Sequence, residues 1–229
     1  MRIFIALLAV TAAGIAGAAF TPYVHGGLGD LGTGDWTLYR GRTAEIVTPE
    51  YGYSFYVGGG YNYNLVQWRQ KRVIPALALE TDGGFTYHKQ TLWLYLFNDT
   101  REPWEQSLFQ FTLAENLVFR LKIPVKTMLL TPFIGVGGGV AIIPSSIHRI
   151  RVTEGTYEAS AVALRPVYEI PFGLELTLSP SHTIYGRFGP VAPTGCTKMS
   201  YTNAAHNTEE ICISWPNTFV VAFGYRAGL

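Results

Sequence analysis

At 229 residues the chain is long enough for one domain or a small pair. It is 48% hydrophobic and 14% aromatic but only 14% charged, against about 25% charged residues in an ordinary soluble domain. A net charge of +1 without a basic run argues against nucleic acid as a partner. Mean hydropathy is +0.17, high for a soluble protein and low for a helical membrane protein. A β-barrel gives that middle value, because only every second residue meets lipid.

The first nineteen residues have the pattern of a cleavable signal peptide. Arg2 supplies the positive end, Ile3 to Ile15 the apolar stretch, and Ala16-Gly17-Ala18-Ala19 the small-residue cleavage region. The apolar stretch is short of the ~20 residues a bilayer span needs, and there is no lipobox cysteine. The expectation is export. Residues 20–50 form an N-terminal arm in which Gly26 to Gly34 reads as a glycine-rich linker. Trp36 to Val47 fits an extra strand, a periplasmic arm or a lumen plug, and the sequence leaves these open.

From Tyr51 onward a two-residue period dominates, the mark of strands with two different faces. Tyr53, Phe55, Val57, Tyr61 and Tyr63 alternate with Ser54, Gly58, Gly60, Asn62 and Asn64. After a longer polar connection over 66–72, a short strand over 73–80 ends at a tight turn predicted for Thr81-Asp82-Gly83-Gly84. A strand over 86–97 follows, apolar on both faces near its end, then a loop over 98–106. Leu108 to Lys122 sets Phe109, Phe111, Leu113, Leu117, Phe119 and Leu121 against Gln110, Thr112, Asn116 and Arg120. Glu115 falls on the apolar face there, which predicts a β-bulge or an early rim.

A tight turn over 123–126 leads to Met128 to Ile143, where Leu130, Ile134, Val136, Val140 and Ile142 oppose Thr131 and a run of glycines. After a loop over 144–157, Val162 to Leu178 carries Val162, Leu164, Tyr168, Ile170, Phe172 and Leu174 on one face. The other face holds Arg165, Glu169 and Glu175. A turn over 179–182, a strand over 183–191 and a long loop over 192–214 precede the last strand, Thr218 to Leu229. Its odd positions are Phe219, Val221, Phe223 and Tyr225, and Arg226 lies opposite.

Short connections alternating with long ones, about eight strands and a lipid-covered apolar face define the predicted class: an all-β, transmembrane, antiparallel up-and-down β-barrel over 51–229. A helical inner-membrane protein is the weaker reading, since Met128 to Pro144 holds two prolines and three consecutive glycines. A soluble sandwich would need a second layer over the leucine and phenylalanine face of 162–178.

With these residues in place, the chain resembles the small eight-stranded outer-membrane barrels of the OmpX and OmpW kind. The terminal strand, with Phe219, Phe223 and Tyr225 in step, is similar to the assembly signal of such proteins, although the chain ends at Leu229 rather than an aromatic. The resemblance implies an outer-membrane location, contact with the lipid bilayer and recognition by the barrel-assembly machinery. It also implies a monomeric, narrow, porin-like portal for small or hydrophobic solutes. The alternative is a surface-exposed adhesion or interaction protein that binds host or envelope components through its long loops.

Candidate lumen charges are Glu80, Arg120, Arg165, Glu169, Glu175, Arg187 and Arg226. They are expected chiefly to form an ion-pair network, because about eight strands enclose an interior only just wide enough for side chains. Rings of charge tuning solute passage are the sharper reading. Arg187 is expected beside Glu169 or Glu175 on the neighbouring strand. Cys196 and Cys212 form a local, even pair that in an oxidising compartment favours a disulfide, stabilising by about 3 kcal/mol in the chain-entropy picture. Tyr53, Tyr63, Trp93, Tyr95, Tyr168 and Tyr225 are expected in the interfacial girdles.

His148 with Ser145, Ser146 and Glu154 has the chemistry for activating a serine, but no supporting spacing, so no enzyme activity is expected. His25, His88, His182 and His206 lack metal-ligand spacing, and neither metal nor cofactor is expected.

Overall fold

In the computed structural model, the described residues are 21–31, 36–40, 43–47, 51–68, 72–94, 102–149, 158–202, 208–214 and 218–227. All regular structure among them is β. The strands are β1 (Thr21–Leu31), β2 (Trp36–Arg40), β3 (Thr43–Val47), β4 (Tyr51–Gln67), β5 (Ile74–Leu94), β6 (Glu102–Val125) and β7 (Met128–Arg149). They continue as β8 (Glu158–Glu169), β9 (Phe172–Ser179), β10 (His182–Pro193), β11 (Cys196–Thr202), β12 (Thr208–Ser214) and β13 (Thr218–Ala227).

The main sheet closes on itself. β1 pairs with β4, and β4 through β7 pair in sequence. β7 pairs with both β8 and β9, both of these pair with β10, and β10 pairs with β13, which returns to β1. β8 and β9 are one barrel strand interrupted at Ile170-Pro171: Gly137 faces Glu169 and Ile134 faces Phe172 in one unbroken register. Pro171 lacks an N–H, yet its carbonyl still accepts from Gly135 N at 2.7 Å, and Ile170 N donates to Pro190 O at 3.3 Å. A Cβ on the facing Gly189 (φ +149°) would come 2.2 Å from Ile170 O, so only glycine fits opposite the interruption. The ring therefore has eight walls, as expected.

Two departures from the predicted elements offset each other in that count. The Asp82-Gly83-Gly84 turn signal lies in the middle of β5, which runs unbroken against β6 from Ile74 to Leu94. Asp82 is not at a solvated turn but points into the lumen, where Arg187 meets it. The glycine-rich linker is the first barrel strand: Tyr23 and His25 are buried in the lumen, while Val24 and Leu28 are 62% and 71% exposed on the outside. The barrel thus begins at Thr21, upstream of Tyr51.

Connections shift accordingly. The predicted long connection over 66–72 is on the short-turn rim; the ladder passes a bulge after Asn64, and Trp68 N donates to Pro75 O at 2.9 Å. The turns between β6 and β7 and between β9 and β10 leave only Lys126-Thr127 and Pro180-Ser181 outside the strands. Strand β7 runs on through Arg149 and β6 starts at Glu102, so both predicted loops there are shorter. Residues 36–47 and 192–214 hold further strands. These form a second, four-stranded sheet in the order β11-β12-β2-β3, above the long-loop rim and outside the barrel ring. No bulge occurs at Glu115. It stays in register opposite Thr81 and Gly138, faces the lipid side, and accepts a hydrogen bond from Thr81 Oγ1 at 2.8 Å.

The outer surface is what a membrane requires. Phe223, Leu164 and Val162 are 68%, 68% and 73% exposed, within a continuous band of outward aliphatic and aromatic side chains. Soluble monomers rarely expose apolar patches above roughly 300–600 Å², whereas lipid covers such a band without cost. No described helix is long and apolar enough to cross a membrane; this chain crosses with strands.

Candidate functional site: a charged bar across the lumen

Even positions of β5 and β6, and the matching phase of β8, β9, β10 and β13, turn their side chains inward, because side chains alternate along a strand. That alternation delivers Glu80, Asp82, Arg120, Glu169, Glu175, Arg187 and Arg226 to one level of the lumen, each no more than 8% exposed. Two linked groups result. Nearer the short-turn rim, Arg120 pairs with Glu80, and its Nε donates to Glu175 Oε1 at 3.0 Å. Arg226 reaches the same two carboxylates, Nη1 to Glu175 Oε1 and Nη2 to Glu80 Oε1, both at 2.9 Å. Nearer the long-loop rim, Arg187 Nη2 donates to Glu169 Oε2 at 2.9 Å, Arg187 Nη1 lies 2.5 Å from Asp82 Oδ2, and Asn116 Nδ2 donates to Glu169 Oε2 at 3.0 Å. Arg187 Nη1 stands 3.8 Å from Glu80 Oε2 and joins the two groups.

The topology makes this a bar rather than a lining. β5 and β10 are four strands apart in a ring of eight, so the contact between Asp82 and Arg187 joins opposite walls. Charges this dry are tolerable only when paired and hydrogen-bonded. Four carboxylates meet three guanidiniums, so one carboxylate has less than a full counter-charge.

An aromatic collar packs beside the bar. His25 Nε2 is 2.9 Å from Tyr56 Oη and 3.5 Å from Asp82 Oδ1, and His25 Nδ1 is 3.1 Å from Tyr185 Oη. Tyr23 Oη donates to Thr81 O at 3.1 Å, and the Arg226 guanidinium lies 5.6 Å and 5.5 Å from the Tyr23 and Tyr185 ring centres. Glycines make room for these rings: a Cβ on Gly224 would sit 2.3 Å from the Tyr185 ring.

Six of the seven predicted lumen charges come together. Arg187 takes Glu169, one of its two expected partners, and Glu175 goes to Arg120 and Arg226 instead. Arg165 is not joined to the other six among the described residues; its guanidinium sits beside Gly195, where the chain leaves β10. Sequence reasoning missed Asp82, His25, Asn116 and the three tyrosines. Asp82 shares the phase of Glu80, a signal that the turn reading concealed.

Other predicted residues are placed as follows. Phe219, Phe223 and Tyr225 all face outward on β13, and Tyr168 does so on β8. Tyr225 Oη meets His182 beside the short-turn rim. Ser145 and Ser146 lie in strand β7, not in a loop, and point to opposite faces; Ser145 Oγ donates to Ala161 O at 3.4 Å. The backbone places Cys196 opposite Ser214 and Cys212 opposite Lys198, on neighbouring strands and two residues out of register. Their thiols, the side chains of Tyr53, Trp93 and His148, and residues 1–19, Tyr95, Glu154, His206 and Leu229 are outside the described set.

No known family model matches the chain, and no curated protein does. Solved structures do. A major outer membrane protein from Thermus thermophilus aligns with a TM-score of 0.50 at 11% identity, over 93% of this chain and 100% of that one. The outer membrane protein OprG from Pseudomonas aeruginosa gives 0.47 at 10% identity, over 93% and 98%. Neisserial surface protein A gives 0.40 at 9%, over 91% and 97%. At such identities the likeness is one of fold. The protein is a transmembrane β-barrel built like the small outer-membrane barrels.

Proposed function

We propose that this is an outer-membrane surface protein whose barrel is a closed anchor and whose working part is the four-stranded sheet on the long-loop rim. The observation that carries this reading is the charged bar: its ion pairs cross the lumen and join opposite strands at one level. A conduit needs interior groups that release their solute, whereas these are tied to one another. Removing one partner of a buried pair costs about 3–5 kcal/mol, and an opening of similar cost would be populated in only about one molecule in a few hundred to several thousand.

The rim sheet supplies what the lumen lacks. It joins the β1–β4 connection to the β10–β13 connection, and β3 and β11 are its end strands. Strand edges can pair with a further strand, a recurrent mode of peptide recognition. The partner expected is a host or envelope surface component, and the barrel needs no enzymatic activity in this role. The phenylalanines and Tyr225 of β13 serve as the face read by the barrel-assembly machinery during insertion.

The test is deletion of residues 196–214 with a short glycine-serine bridge, followed by adherence of cells displaying either form to cultured host cells and to isolated envelope. Binding lost while the heat-modifiable gel shift of a folded barrel persists is the expected result. Equal adherence by both forms contradicts the reading.

A second reading, a gated portal for small solutes, draws on one observation: a cavity of about 250 Å³ on the short-turn side that reaches the bar.

A further inference from the structure

We infer that the cavity beneath the bar is an oxyanion-binding site open to the short-turn rim, taking a small phosphate- or carboxylate-bearing solute. The inference stands apart from the surface role proposed above. The cavity has a volume of about 250 Å³, and its walls include Arg120, Lys122, Arg226 and Glu175; Glu80 behind the wall also pairs with both arginines, so Lys122 is the cation in excess. That volume exceeds the share of several water molecules, roughly 30 Å³ each in the liquid, so it holds a ligand of several heavy atoms with its hydration.

The arginines have capacity left after the bar is formed. Arg120 is 2% exposed and its Nη1 has no hydrogen-bond partner among the described residues; Arg226, 8% exposed, has none there at Nε. Buried polar atoms are nearly always partnered, and these two N–H groups, with essentially no accessible surface of their own, lie just behind the cavity wall, where a turn of either guanidinium would bring them to an acceptor. The guanidinium fork suits phosphate and carboxylate oxygens. The hydroxyl of Thr131 on the same walls adds a neutral donor, and that of Thr177 shares a hydrogen bond with Thr183 Oγ1 at 3.0 Å. At the mouth, Lys122 Nζ holds only Gln67 Oε1, at 3.0 Å, as its hydrogen-bond partner among the described residues, and is free to turn onto an anion. The chemistry is common to a free anion and to a lipid headgroup.

Calorimetric titration of the folded barrel in a non-ionic detergent tests this with inorganic phosphate, citrate and dihexanoyl phosphatidic acid as probes. Saturable binding at one site per chain, weakening with added sodium chloride, is expected. Saturation by phosphate or citrate identifies a free solute as the natural ligand, and saturation by phosphatidic acid alone identifies a headgroup. Lys122→Glu, outside the bar, should weaken binding by at least about tenfold, the equivalent of one charge-assisted contact. Lys89→Gln, whose lysine pairs with Glu105 at 2.8 Å near the other rim, should leave it unchanged. The inference is overturned when none of the three probes saturates on a barrel that still shows its gel shift, or when Lys122→Glu binds like the parent chain.

Discussion

The lumen bar and the rim sheet are both assembled from segments distant in sequence, yet different forces hold them. Side-chain charge from six strands holds the bar, with every partner inside the chain and almost no surface left to water. The sheet is held by backbone pairing of β11, β12, β2 and β3, and its two end strands have one side unpaired within it. The first arrangement uses nearly all of its interactions internally, leaving two guanidinium N–H groups without a partner among the described residues, and the second leaves whole strand edges over. In a barrel of this width, recognition of a large partner therefore moves outward to the rim, and the interior, beyond one small cavity, is given to stability.

Mutations can break this contrast, beginning with the largest effect. Arg187→Ala strips Asp82 and Glu169 of their shared cation and disconnects the two groups of the bar; it should destabilise the barrel by about 3–5 kcal/mol, read by urea unfolding in lipid vesicles. Gly224→Ala forces a Cβ to within 2.3 Å of the Tyr185 ring and should cost about 1–3 kcal/mol, as overpacking does. Asp82→Asn should cost only about 1 kcal/mol, an ordinary hydrogen bond, because Arg187 keeps Glu169 and the bar already carries more carboxylates than guanidiniums. A loss as large as that of Arg187→Ala would show that Asp82 is the principal partner after all.

On the other side of the comparison, deleting 196–214 should destabilise the barrel by less than Arg187→Ala does, about 1–3 kcal/mol, because it removes the packing of β11 on β8 and the buried Met199. The disulfide proposed between Cys196 and Cys212 belongs to the same region. It would fasten β11 to β12 diagonally, and intact-mass measurement of unreduced protein should find two hydrogens fewer than after reduction. Reducing it should leave the unfolding midpoint of the barrel where it was.

The barrel strands from β6 onward were legible because one face meets lipid. Lipid imposes apolarity on every second residue over long stretches, and that rule survives in the sequence from Phe109 to Leu121 and from Val162 to Leu174. Less legible were the places where local chemistry imitates a different element. Asp82-Gly83-Gly84 has the composition of a turn, but inside a barrel an aspartate and two glycines meet a guanidinium and a tyrosine ring. In β1, glycines removed the side chains that would have displayed the two-residue period, leaving only Tyr23, Val24, His25 and Leu28 to carry it. Glu115 suggested a bulge because a carboxylate facing lipid is costly; Thr81 partners it across the ladder instead. Six of the seven charged residues of the bar could be chosen from strand phase alone. Their pairing could not, since it depends on which strands oppose one another around the ring. The rim sheet was legible only in part: Trp36 to Val47 had offered an extra strand and holds β2 and β3, but the pairing of β12 with β2, which makes one sheet of two local hairpins, spans more than 150 residues.

Single-channel recording in planar bilayers addresses the closed lumen most directly. The parent chain should pass no current above background from either side, and Arg187→Ala, in whatever fraction folds, should introduce fluctuating openings. Steady conductance through the parent barrel would contradict the account.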